Sequence, residues 1–173
     1  MEAEELAEVA RDARRGEERR IGMTMAVFAA LLAVTTMLGH RAHTEEVLLQ
    51  TQATDDWGFY QAKNNRGQMY EADAQLAQLY GAAGGEMSTM FAERAQKEKR
   101  DAEEVRTRAE EREKETRAVA RRASFYDGSE IFLEVGIVLC SIALLADALL
   151  FWRLSFVPAA IGVILGAVGL FGA

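Results

Sequence analysis

The chain of 173 residues holds one proline, Pro158, and one cysteine, Cys140. A single thiol excludes an internal disulfide, and Cys140 lies in an apolar run, where a small filler is expected rather than a reactive group. Strand-like alternation is missing, and so is a glycine-rich phosphate loop behind a strand. The two histidines, His40 and His43, have no partner set resembling a nucleophilic triad. An excess of positive charge is lacking too. The net charge of -7 argues against nucleic acid as a partner, because a phosphate backbone asks for a basic surface. These absences predict a protein that is not an enzyme and carries no cofactor.

What is present is segregation. Apolar residues gather in Ile21 to Gly39 and Ile131 to Ala173, while charge fills the first twenty positions and the stretch from Arg41 to Gly128. A bilayer core penalises charge and rewards unbroken apolar surface, so this distribution predicts a membrane protein despite a near-zero mean hydropathy. The expected organisation is a charged N-terminal tail or short helix (1–20), a first transmembrane helix (21–40) and an extramembrane helical hairpin (41–128). A second transmembrane helix (129–153) and a third (154–173) follow. The fold class is thus all-α, with three transmembrane helices and a long antiparallel coiled-coil hairpin between the first and second.

In the tail, Leu6, Val9, Ala10 and Ala13 form one weakly apolar helical face, which predicts a marginal helix or a disordered segment. Arg11, Arg14, Arg15, Arg19 and Arg20 precede the first apolar run. Positive residues tend to stay cytoplasmic, so the N-terminus is expected inside and the hairpin outside, although Arg117, Arg121 and Arg122 pull the other way. The first run is longer than the apolar core of a cleaved signal, and an uncleaved anchor is expected.

The hairpin turns at Gly81-Ala82-Ala83-Gly84-Gly85. Its first arm carries a loose heptad series: Leu48, Thr51, Gly58, Ala62, Asn65, Met69, Ala72, Leu76 and Leu79. Trp57, Phe59 and Tyr60 add bulk partly off that seam, as packing or interaction candidates. The second arm is more regular. Ala95, Ala102, Ala109, Thr116 and Ala123 recur every seven residues, with Phe91, Val105 and Val119 between them and Glu98 and Arg112 interrupting. A sustained seven-residue repeat marks supercoiled helices, and an alanine line implies close approach.

Beyond the hairpin, a short turn is expected at Arg153 to Val157, with Pro158 in the first turn of the last helix. Gly162 and Gly166 form a small-xxx-small pair suited to tight helix contact. Glu134 and Asp147 are the acids of the second span, and ionisable groups at such depth are functional candidates. His40 and His43, three apart, share a helix face and could contribute to a metal site, though two ligands do not complete one.

The stretch Ala53 to Lys63 contains Asp55, Trp57, Tyr60, Gln61, Ala62 and Lys63 in a pattern that resembles the domain-of-unknown-function family 4337, a group of bacterial membrane proteins. The resemblance extends over the Gly39-His40 exit, the charged second arm and the paired C-terminal spans. It implies a bacterial inner-membrane location and supplies no activity.

The expected role is that of a structural or interaction protein in the lipid bilayer, self-associating as a homo-oligomer or serving as an accessory subunit of a larger membrane complex. Its alternative is an oligomeric channel, or a regulator of ion or proton movement, using Asp147 or Glu134. A metal or haem accessory subunit using His40 and His43 is a third possibility.

Overall fold

The computed structural model describes the backbone of residues 2–172 and the side chains of residues 14–172. The apolar face expected of Leu6, Val9, Ala10 and Ala13 lies outside the described side chains. Three α-helices and one short 3-10 turn make up the described chain: α1 (Glu2–Gln78), the turn Gly81–Gly84, α2 (Gly85–Ala146) and α3 (Leu149–Phe171). All three helices are long and apolar enough to cross a membrane. Two compact units divide the chain, one of Met1–Thr44 with Val119–Ala173 and one of Glu45–Ala118.

The second unit is the antiparallel hairpin. Its reversal depends on two glycines. Gly81 has φ +64, a left-handed conformation that costs glycine little. At Gly84 a methyl group would stand 1.8 Å from the Ala77 carbonyl oxygen, so the crossing of the two arms admits no side chain there. From this turn the second arm packs on the register its sequence predicts: Ala95, Ala102 and Ala109 are all buried, Ala109 completely.

The first arm does not use the expected seam. Its seam runs through Leu49, Ala53, Asp56, Tyr60, Lys63, Gly67, Tyr70, Ala74 and Ala77 in a continuous three-four spacing, with Gln52, Trp57, Asn64 and Asp73 half-buried beside it. This seam is displaced by two residues from the series beginning at Leu48, which places Leu48, Met69, Leu76 and Leu79 on the outward face. Close approach is the reason. An alanine line on one helix is best approached by another helix's small residues, here the buried Ala53, Gly67, Ala74 and Ala77, with Leu49, Tyr60 and Tyr70 only half-buried between them.

The hairpin unit is also shorter than the expected 41–128. Residues 119–128 pack with the apolar helices instead: Tyr126 is buried beside Gly39 and Gly169, and Asp127 meets His43.

In the first unit, Ile21, Phe28, Leu133, Cys140, Ala143 and Ala159 form the buried core, with Met25, Ile137 and Trp152 packed against it. Phe28, Phe156 and Trp152 meet edge to face at centroid separations of 5.8 and 5.6 Å. Outward residues are apolar too, among them Val27, Val34, Val138, Leu150 and Ile164. A helix apolar on every side suits a lipid surround.

The expected turn at 153–157 does not exist. α2 stops at Ala146, and α3 begins at Leu149 and runs unbroken through Arg153 and past Pro158. Asp147 makes the break, with φ +52. Aspartate is one of the few side chains that enter the left-handed region readily, because its short polar group can bond locally. Asp147 therefore ends a helix and is not an acid within a span. It is exposed, and its carboxylate lies 2.9 Å from Arg14.

Candidate functional site

Two heptad positions of the second arm are charged, and the first arm answers each with opposite charge. Arg112 Nε lies 2.7 Å from Asp56 Oδ2, off the line of the N–H, and the same guanidinium donates to Gln52. Seven residues nearer the hairpin tip on the first arm, Lys63 Nζ lies 3.8 Å from Glu98 and donates to Asp101 at 3.1 Å. Asp56 is 9% exposed, low for a carboxylate outside a binding pocket. A partly buried ion pair adds little net stability, since desolvation offsets attraction, but a mispaired charge at the same position is costly. These pairs therefore fix which residues of the two arms stand opposite one another.

Around them lies a second layer. Trp57 Nε1 donates to Glu113 at 2.8 Å, and Tyr60 meets the Trp57 ring edge-on at 5.6 Å. Tyr70 stacks on Phe91 at 6.2 Å, and Arg94 lies over the Tyr70 ring at 5.9 Å. Lys99 is bonded to Glu71. On the outward face of the second arm, the Glu110 hydrogen bond and the nearby Glu103 raise the Arg106 guanidinium above its ordinary value. That group is charged in any case, so the shift has no functional consequence. Phe59 stands apart from this packing and is 63% exposed.

Of the acids singled out in the sequence, Glu134 lies on the outward face of α2. Its neighbours Asp127 and Glu130 make the polar contacts to α1 instead. Asp127 Oδ1 is 3.0 Å from His43 Nε2, and Glu130 accepts a 2.9 Å hydrogen bond from Thr36 Oγ1. Their signal in the sequence is the spacing: 127, 130 and 134 fall on one helical face. His40 is exposed, and no group of three metal-ligating side chains is assembled among the described residues.

Gly162 and Gly166 sit where α3 crosses α2. A methyl on Gly162 would stand 3.0 Å from both Leu133 Cγ and the Ser129 carbonyl oxygen, and one on Gly166 3.1 Å from Ser129 Oγ. Ser155 Oγ accepts from Cys140 Sγ at 3.2 Å and donates to the Trp152 carbonyl at 2.7 Å, while Trp152 Nε1 donates to Thr24. The small residues thus join α2 to α3, and α1 is tied in by hydroxyl and indole groups.

This combination defines a class: an all-helical protein with three helices fit to span a membrane and a charge-keyed antiparallel coiled-coil hairpin. Within that class the chain belongs to the family described as Domain of unknown function (DUF4337), whose family model matches residues 17–172. No curated protein and no solved structure matches it. The motif residues divide between two faces. Trp57 and Lys63 reach across to the second arm, whereas Asp55, Gln61 and Ala62 point outward.

Proposed function

We propose that the protein is a non-enzymatic interaction protein of the bacterial inner membrane, anchored by three spans and presenting its hairpin to a protein partner. The observation that carries this reading is the division of labour within the hairpin. Its seam charges are engaged with one another rather than lining an open cleft, while Leu48, Met69, Leu76 and Leu79 face outward. Exposed apolar side chains in a coherent row are the ordinary mark of a contact surface. Arg14, Arg15, Arg19 and Arg20 favour a cytoplasmic N-terminus, and the hairpin is then periplasmic. The Arg14–Asp147 pair supports placing the α2–α3 turn on the same side as that arginine cluster.

The test is isolation from native membranes in mild detergent. The expected species is an assembly larger than one protomer with its detergent, lost when Leu76 and Leu79 are both replaced by glutamate. A lone protomer from native membranes would refute the reading.

Glu134 supports a second reading, an oligomeric pore or regulator of ion movement. The residue is exposed in the apolar C-terminal stretch of α2, and an ionisable group in such a span calls for water or a partner copy. Unchanged ion flux in vesicles carrying Glu134→Gln would remove this reading.

A further inference from the structure

The two arms of the hairpin have outward surfaces of opposite character. On the second arm the exposed residues are densely charged, for example Lys97, Arg108, Glu111 and Lys114. On the first arm, the exposed residues between Val47 and Tyr80 are uncharged apart from Asp55, Arg66 and Glu71. Two of those three are already engaged, Glu71 with Lys99 and Arg66 with Glu98 at 3.7 Å. A helix face meant for water would resemble the second arm.

The neutral face is also periodic. Leu48, Ala62, Met69 and Leu76 keep multiples of seven, Ala72 and Leu79 hold the alternate position, and all six are exposed. That is a second heptad series beside the one already used, interrupted by Asp55 at the Leu48 position and carrying Thr51, Gly58 and Asn65 at the alternate one, and another α-helix is the partner it fits. Gln61, Gln68 and Gln75 flank it, again seven apart and exposed.

We infer that this outer face of the first arm docks the same face of a second copy of the chain. The inference rests on the interaction reading above and names its partner. The matching surface has to be neutral, and within this protein the first arm offers one while the second arm does not. The glutamine row is self-complementary, since each amide both donates and accepts hydrogen bonds. Size fits as well: laid antiparallel, Met69 of one copy meets Gly58 of the other and Leu76 meets Thr51. From Leu48 to Leu79 the face is about 48 Å long and about 10 Å wide, so two copies cover roughly 1,000 Å² in total, at the threshold for a specific protein pair.

The experiment uses the full chain, purified alone in mild detergent and in phosphatidylethanolamine–phosphatidylglycerol vesicles, with Cys140→Ala as background. Mixed copies carrying Leu48→Cys with Leu79→Cys, or Met69→Cys with Gly58→Cys, are expected to give disulfide-linked dimers, and a cysteine at Lys97 is not. Leu48→Cys linking to itself marks parallel copies, and Leu48→Cys linking to Leu79→Cys marks antiparallel ones; either product supports the docking. The Ala62→Glu, Met69→Glu double variant should weaken the dimer at least tenfold by light scattering with helicity retained. A monomer in both media, or a dimer that the double variant leaves unchanged, overturns the inference. An isolated monomer that still recovers a different protein from native membranes through this face overturns self-docking and leaves the broader interaction reading standing.

Discussion

Arg112 and Asp56 stand 2.7 Å apart on facing arms of the hairpin, at positions where a coiled coil ordinarily places apolar side chains. Their carboxylate and guanidinium are half-buried or better, so neither is replaceable alone without stranding the other. Arg112→Met is expected to cost about 1–3 kcal/mol, below the value for a fully buried pair because the guanidinium retains solvent access. The exchanged pair Asp56→Arg with Arg112→Asp should recover part of the loss. Thermal unfolding of the wild type, Asp56→Arg, Arg112→Asp and the exchanged pair, followed by circular dichroism, gives the coupling directly, and a coupling near zero would show that the pair does not set the register.

Ala109 sits in the middle of the second arm's buried alanine line. Ala109→Leu adds volume where the residue is fully buried, and a loss of about 1–3 kcal/mol is expected. Ala118→Leu, on the exposed side of the same arm, should change stability by less than about 0.5 kcal/mol. Equal losses at both sites would place the seam elsewhere.

Asp147 offers a backbone test. Its positive φ makes Asp147→Val unfavourable by about 1–2 kcal/mol, whereas Asp147→Gly should be tolerated despite the lost ion pair, which is exposed on both sides. Melting temperatures in detergent that fall equally for both variants would indicate that the Arg14 contact matters more than the turn.

Gly162→Val is expected to push α3 from α2, because even a methyl there meets Leu133 and Ser129 at 3.0 Å. Disulfide formation between cysteines placed at Leu133 and Ala159 should drop several-fold relative to the same pair on the Gly162 background.

Much of this architecture is legible in the residues. The apolar runs, the glycine-rich turn and the alanine line of the second arm each have one dominant physical cause, and each is found where it is expected. Two features escape the pattern. The first arm has apolar residues on two faces, and size suggests the wrong one: Leu48, Met69 and Leu76 attract attention, while Ala53, Gly67 and Ala74 fill the contact. Only the identity of the opposing arm decides between them, and a single helix's periodicity does not carry that information. Asp147 misleads in a similar way. A lone acid in an apolar stretch reads as buried chemistry, but aspartate's tolerance of positive φ makes it punctuation instead. Glu98 and Arg112 look like flaws in a repeat until Lys63 and Asp56 are seen opposite them.

Only Asp147 and Ala148 separate α2 from α3. Such a tether leaves no slack. Moving α3 therefore moves the joint as well, and a chain cut inside α3 would leave the Ser129 and Leu133 side of α2 without the glycine face that now covers it.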